Sequence, residues 1–268
     1  MSLPALVLAA KLVVLSDPEA VLATDLSEVK VTFSPDGKRM LWGSINRTGG
    51  AGKWDIWEAT STGKGWSAPR AVSFNSPAND FDPSFAPDGS GIYFFSSRPG
   101  GLGGDDIYFV PAAKGGYGTP RNLGPQVNSK GDEWGPTVSS DGKRLLFASD
   151  GRGGSGKHDL FIAARDGAGW GKAANVGPVV GSAVDDFDAA FLDDGRSIAF
   201  ASERRGADTA NLYVSVWKGG AYQAPVWLGA KVNRAGAWNF GAAVRTGERG
   251  VLYFNISGDV YRIRYRLD

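Results

Sequence analysis

Short apolar stretches alternate with tight turns along the chain, and the same order of apolar and polar positions returns five times. In the first copy, an alternating stretch at 28–33 leads into the turn Pro35-Asp36-Gly37, and a second apolar stretch follows at 39–44. Proline presets the first corner of such a turn, aspartate can bond back to the backbone, and glycine accepts the left-handed conformation that joins antiparallel strands. The pattern therefore predicts a β-hairpin in each copy.

The copies are evenly spaced. The residues that anchor the successive turns are separated by 52, 53, 53 and 53 positions: Phe33, Phe85, Val138, Phe191 and Val244. A constant period of this length is typical of repeat architectures. After the hairpin, each copy continues with a Gly-rich loop, a third strand and, except in the fifth, a short fourth strand introduced by an aromatic residue. Four antiparallel strands rich in aromatic and β-branched residues indicate one blade of a β-propeller.

The repeats predict an all-β fold: a single β-propeller over residues 1–268 with five four-stranded antiparallel blades. The blades are expected at about 24–75, 76–128, 129–181, 182–233 and 234–268. The fifth copy ends after its third strand, and an apolar segment at 3–15 precedes the first copy. We expect this segment to form the outer strand of the last blade and so close the ring, because closure removes an exposed sheet edge. The same segment is also compatible with a remnant of a signal peptide.

Composition narrows the function. The 29 Lys and Arg residues balance 28 Asp and Glu and are scattered, so no nucleic-acid partner is expected. The absence of cysteine excludes disulfides, thiolate nucleophiles and Cys-based metal sites, and the single histidine, His158, is expected to be structural. Lys11 interrupts the apolar start, so no transmembrane segment is expected.

Several motifs resemble the WD40-like propeller repeats of the TolB type, which are found beside OmpA-like domains in bacterial envelope proteins. They are FSPDGK at 33–38, DIYFV at 106–110, YGTPRNLG at 117–124 and VNSKGDE at 127–133. The likeness weakens in the fifth copy, where VRTGERG replaces the Pro-Asp-Gly turn, and the six blades and extra domain of TolB are not matched. The resemblance implies a periplasmic or secreted interaction module. We expect a monomer that binds an envelope protein, a peptide or a glycan.

Acidic residues recur at the start of the first strand of nearly every copy. They lie five residues before the turn anchors, at Glu28, Asp80, Glu133 and Asp186, with Asn239 in the fifth copy. Two residues further on, strand alternation places Asp82 and Asp188 on the same face. In a closed propeller these strand starts meet at one mouth of the central channel. Including flanking tryptophans and arginines that recur in register, the expected ligand-binding set is Glu28, Asp80, Asp82, Glu133, Trp134, Asp186, Asp188, Trp238, Asn239, Arg47, Arg98 and Arg204.

Three roles for this acidic ring remain open. The carboxylates can be structural, accepting backbone N–H bonds or pairing with the arginines. Asp80, Asp82, Asp186 and Asp188 would also suit Ca²⁺ or Mg²⁺ in the central channel, since both ions prefer oxygen ligands. In the third role Asp80, Glu133 and Asp186 would serve a glycan-cleaving hydrolase as acid and base. A non-catalytic binding scaffold is favoured, because the carboxylates repeat whereas catalytic residues are usually departures from a repeat.

Overall fold

The computed structural model describes residues 11–206 and 209–268, and within these residues every regular element is a β-strand. Five antiparallel sheets of four or five strands follow one another along the chain, and a short two-stranded hairpin forms a separate sixth sheet. The innermost strand of each sheet contacts the innermost strand of the next, and that of the last sheet contacts that of the first. The chain is therefore a closed five-bladed β-propeller, as the repeat predicted. The described residues include no helix that is long and apolar enough to cross a membrane.

The strands run outward from the channel in chain order within each blade, apart from the first two strands of the chain. Those two, which belong to the last blade, are β1 (Leu12–Val14) and β2 (Glu19–Leu22). Blade 1 contains β3 (Glu28–Phe33), β4 (Arg39–Ile45), β5 (Trp54–Thr60) and β6 (Arg70–Ala71). Blade 2 contains β7 (Asp80–Phe85), β8 (Gly91–Ser96), β9 (Asp106–Ala113), β10 (Gly116–Tyr117) and β11 (Arg121–Asn122).

The other blades follow the same plan. Blade 3 contains β12 (Glu133–Val138), β13 (Arg144–Ser149), β14 (Asp159–Asp166), β15 (Gly169–Trp170) and β16 (Ala174–Asn175). Blade 4 contains β17 (Asp186–Phe191), β18 (Ile198–Ser202), β19 (Asn211–Ser215), β20 (Trp217–Lys218), β21 (Ala221–Tyr222) and β22 (Val226–Trp227). Blade 5 contains β23 (Asn239–Ala243), β24 (Val251–Ile256) and β25 (Asp259–Leu267).

The N-terminal segment closes the ring. β1 pairs with β25, with Leu12 opposite Leu267, and β2 pairs with the same strand, with Glu19 opposite Arg262. This pairing covers the outer edge of β25, which the fifth copy alone would leave exposed. The prediction that the N-terminal segment completes the last blade is confirmed for these residues. Positions 3–10 of the predicted strand lie outside the described residues.

Every innermost strand carries a β-bulge at its third residue. In blade 1, Val29 pairs with Gly43 and the next pair is Thr32 with Leu41, so two residues oppose one. The third residues all have left-handed backbone angles: φ is 46° at Lys30, 49° at Asp82, 58° at Gly135, 47° at Asp188 and 65° at Gly241. Residues other than glycine rarely adopt a φ above zero. The bulge breaks the period-2 alternation, so the first and third side chains of each strand reach different places.

Candidate functional site

The repeated acids at the strand starts fasten the connections between blades. Glu133 accepts hydrogen bonds from the backbone N–H of Ser129 at 2.8 Å and from its hydroxyl at 2.6 Å. Asp80 is bonded in the same way to Ser76, and Asp186 accepts the N–H of Ser182 at 2.7 Å. All three carboxylates are completely buried. Each therefore pins the loop that leads into its own blade.

The arginines that recur in register complete this structural network. Arg47 lies 3.0 Å from Glu28, Arg204 lies 2.6 Å from Asp186, and Arg98 pairs with Asp80. In blade 5, Asn239 replaces the acid, accepts the N–H of Arg234 and donates to backbone carbonyls. These side chains were expected to bind a ligand at the mouth, and the structure instead buries the acids and Asn239 away from it. The bulge explains the difference.

The same burial bears on the two other roles considered for these carboxylates. A general acid and base must contact substrate, and Asp80, Glu133 and Asp186 have no accessible surface. Asp80 and Asp186 are paired with arginines, so they do not converge with Asp82 and Asp188 on one cation. Of the candidate cation ligands, only Asp82 and Asp188 lie on the channel axis.

The Gly-rich loops are anchored by a carboxylate that the sequence analysis did not single out. Asp159 accepts the N–H groups of Ser155 and Gly156, and Asp55 and Asp106 accept loop N–H groups in the same way. Glycine is required beside each carboxylate: a Cβ added at Gly154 would lie 2.0 Å from Asp159 Oδ2. These N–H groups of the loops are therefore used within the loops themselves. The signal in the sequence was an Asp as the first or second residue of the third strand in four of the five copies.

Third-position residues from all five blades meet at the channel axis. Lys30 Nζ lies 3.6 Å from Asp188 Oδ1 and donates a hydrogen bond to the carbonyl of Gly135 at 3.2 Å. Asp188 Oδ2 accepts the N–H of Gly241 at 3.1 Å, and Asp82 is hydrogen-bonded to Asp188. We call these five residues the axial cluster. It joins the blades through one buried polar network.

The axial cluster favours the neutral form of one of its carboxyl groups. Burial raises the pKa of Asp82 well above its ordinary value of 3.8, and the neighbouring Asp188 carboxylate raises this pKa further. Lys30 opposes the rise but does not overcome it. A protonated Asp82 can donate to Asp188, while Lys30 balances the charge of Asp188. Lys30 thus supplies a countercharge to Asp188 within the cluster.

A cavity of about 270 Å³ opens above the axial cluster at one end of the channel. Seven aromatic side chains line it, together with four acidic ones. Its lining residues are Trp54, Phe81, Asp82, Phe95, Trp134, Asp185, Phe187, Asp188, Glu203, Trp238 and Phe240. We call this cavity the aromatic mouth. Asp82 and Asp188, which are 5% and 4% exposed, form its floor.

Most of the aromatic wall comes from one position in the repeat. This position is the second residue of each innermost strand. It is aromatic in blades 2 to 5, where it is Phe81, Trp134, Phe187 and Phe240, and it is Val29 in blade 1. Of the wall residues, the sequence analysis identified Trp134 and Trp238. The others were missed, although an aromatic residue in four of five copies was a visible signal. Trp238 is the most open of them, at 42% exposed, and its ring centroid lies 6.4 Å from that of Phe187.

No protein-family model and no curated protein matches the chain. Solved structures do share its fold. A putative TolB from Agrobacterium tumefaciens is 18% identical, with 86% of this chain and 70% of that chain covered and a TM-score of 0.56. TolB from Acinetobacter baumannii is 16% identical over 91% of this chain, with a TM-score of 0.55, and this chain spans only 55% of its length.

An enzyme is equally similar. An α-L-arabinofuranosidase from Podospora anserina, solved with cellotriose, is 13% identical, with 92% of this chain and 94% of that chain covered and a TM-score of 0.55. Identities this low concern the fold alone. The chain is thus defined as a five-bladed propeller of TolB-like fold with an aromatic mouth over a buried acid pair.

Proposed function

We propose that this protein is a non-catalytic binding module of the bacterial cell envelope that holds a protein or glycan ligand in its aromatic mouth. The observation that carries the proposal is the cavity of about 270 Å³ with seven aromatic side chains around two floor carboxyls. Aromatic faces stack on sugar rings and pack against peptide side chains, and a few polar groups at the floor can fix orientation. An envelope location is supported by the TolB-type motifs and by the fold shared with two bacterial TolB proteins.

Binding accounts for the geometry better than glycan hydrolysis. Glycosidases place two carboxyl groups about 5–9.5 Å apart, on opposite sides of the scissile bond. Asp82 and Asp188 instead share a hydrogen bond, so their carboxyl groups are closer together than either of these spacings. The carboxylates first considered for catalysis are buried in the blade connections. Among the described residues, these two observations favour binding over glycan hydrolysis despite the fold shared with an arabinofuranosidase.

The test is binding of the full chain to an array of peptidoglycan fragments, other glycans and peptides. Trp238→Ala is the informative variant, because this side chain is exposed and its loss should leave the fold intact. An aromatic contact is worth about 0.5–1.5 kcal/mol, so affinity for a captured ligand should fall about two- to tenfold. Val226→Ala, at a 50% exposed position on β22, is the matched control and should bind normally.

Two results would overturn the proposal. A ligand whose affinity is unchanged by Trp238→Ala and by Phe187→Ala would bind elsewhere on the propeller. Turnover of a polysaccharide by the native chain, lost in Asp82→Asn, would show the hydrolase that the geometry disfavours.

A further inference from the structure

Three side chains that commonly ligate metals lie next to one another at the mouth end of blade 3. In this blade Glu133 pairs with Ser149, which in turn pairs with Asp159. The next row beyond these pairs consists of Asp132, Asp150 and His158. Residues opposite one another on neighbouring antiparallel strands project from the same face. One oxygen of each carboxylate and one ring nitrogen of His158 lie within 4.8 Å of one another.

This row departs from the repeat. The strand pairing of the other blades identifies the residues of the same row. They are Ser27, Ile45 and Trp54 in blade 1, Asn79, Ser97 and Asp105 in blade 2, Asp185, Glu203 and Ala210 in blade 4, and Trp238, Ser257 and Gly258 in blade 5. Blade 3 alone has three potential ligands in this row, and it holds the single histidine of the chain. Blade packing does not require this set, since the other four blades form without it.

The imidazole of His158 is fixed in place and has one nitrogen unused. His158 is 6% exposed, and its ring stacks on that of Trp134 with centroids 3.6 Å apart and planes 20° from parallel. Nδ1 lies 2.7 Å from Asp185 Oδ1, so in the neutral imidazole Nδ1 is the protonated donor and Nε2 has the lone pair. Nε2 is buried and has no hydrogen-bond partner among residues 11–206 and 209–268. A buried acceptor without a partner is unfavourable unless a ligand satisfies it.

The two carboxylates are also held in place. Asp132 Oδ1 accepts the N–H of Asp105 at 2.8 Å, and Asp150 Oδ1 accepts the N–H of Asp132 at 2.7 Å. Each bond fixes its carboxyl group and leaves the second oxygen for another partner. Asp150 is exposed, which gives an ion a path from solvent.

We propose that Asp132, Asp150 and His158 Nε2 bind a divalent transition-metal ion of the Zn²⁺ class. An imidazole nitrogen with two carboxylate oxygens suits such an ion better than Ca²⁺ or Mg²⁺, which prefer oxygen alone. Asp185 would orient the ligating imidazole, in the carboxylate–histidine–metal arrangement common in zinc proteins. Three protein ligands leave a coordination position for water or another group. The site adjoins the aromatic mouth through Trp134, but it does not depend on the proposed function.

The single histidine makes the test direct. The full chain without a histidine tag, labelled with ¹⁵N-histidine, is titrated with ZnCl₂ and separately with MgCl₂. We expect one Zn²⁺ per chain and a large shift of the Nε2 resonance while Nδ1 keeps its proton, with no such change in Mg²⁺. An Nε2 resonance that does not move at saturating Zn²⁺ would overturn the proposal.

Affinity measurements on variants provide the second arm. Asp150→Asn changes an exposed side chain and should weaken Zn²⁺ binding at least tenfold. Asp185→Asn, which removes the orienting carboxylate, should weaken it about 10–100-fold. Asp166→Asn, an exposed acid at the far end of β14, is the control and should bind normally. Equal affinities in all four proteins would mean an adventitious ion only and would reject the site.

Discussion

Lys30 of blade 1 and Asp188 of blade 4 meet at the channel axis, with Nζ 3.6 Å from Oδ1 and the two side chains 2% and 6% exposed. Both residues have left-handed backbone angles, 46° and 47°. The bulge that gives them these angles turns their side chains towards the axis. One ion pair thus anchors both the centre of the ring and the floor of the aromatic mouth.

Lys30→Met should destabilise the fold strongly. The substitution leaves the Asp188 carboxylate buried without its cation, and removing one partner of a buried ion pair typically costs about 3–5 kcal/mol. Urea unfolding measures the loss. Arg262→Met breaks an ion pair whose side chains are 39% and 67% exposed and screened by solvent, so it should destabilise the fold far less. Similar losses in both variants would contradict the central role of the Lys30–Asp188 pair.

Asp82 should make stability fall as pH rises. Because its folded pKa lies above the ordinary value of 3.8, the folded chain holds a proton that the unfolded chain releases between these two pKa values. The contribution is complete below pH 3.8 and is lost as pH rises through the folded pKa. Asp82→Asn keeps a neutral side chain of similar shape and should lose this pH dependence.

The measurement is the free energy of unfolding of both proteins from pH 4 to pH 8. Burial also raises the pKa of Glu28, Asp55, Asp105 and Glu133, which are present in both proteins. Only the difference between the two curves therefore reports Asp82. Parallel curves would show that Asp82 is ionised like an ordinary carboxyl.

Gly135→Ala should disturb the axial cluster. Gly135 has a φ of 58°, and an added Cβ would lie 2.8 Å from Asp188 Oδ1 and 3.0 Å from Lys30 Nζ. Gly124→Ala is the matched control, since φ is 76° there and nothing lies within 4 Å of the added Cβ. The control should be destabilised only by the strain of an alanine in the left-handed conformation, which costs about 1–2 kcal/mol. A thermal melt of Gly135→Ala at or above that of the control would show that the axis tolerates a side chain.

Deleting residues 1–15 should weaken the closure of the ring. The deletion removes β1, which pairs with the C-terminal part of β25 from Leu12 opposite Leu267 to Val14 opposite Tyr265. An uncovered strand edge pairs readily with another chain. We expect a lower melting temperature and concentration-dependent oligomers in size-exclusion chromatography with light scattering. An unchanged monomer-to-oligomer ratio and melting temperature would show that β2 alone closes the blade.

The fold could be predicted because its signals are local. Turns such as Pro35-Asp36-Gly37 and the strands beside them depend on residues close in sequence, and their regular return sets the number of blades. Ring closure followed from counting strands, since the fifth copy lacked one that an N-terminal segment could supply.

The site was predicted in part. The positions of Asp82, Asp188, Trp134 and Trp238 in the aromatic mouth agree with the sequence analysis, whereas Asp80 and the other strand-start acids do not lie there. Strand alternation placed Asp80 and Asp82 on one face, and the bulge between them separates them. Lysine and aspartate rarely adopt the left-handed angle, so the residue types at Lys30, Asp82 and Asp188 did not predict the bulge. The glycines at the same position in blades 3 and 5 were the only hint.

By itself, the sequence determined the all-β class, the five blades and the segment that closes the ring, because each follows from short-range patterns repeated along the chain. Only the tertiary structure decided which side chains face the channel, that Lys30 neutralises Asp188, and that Asp132, Asp150 and His158 lie together. These relations depend on the bulged register and on contacts between residues far apart in sequence, and no local pattern encodes them.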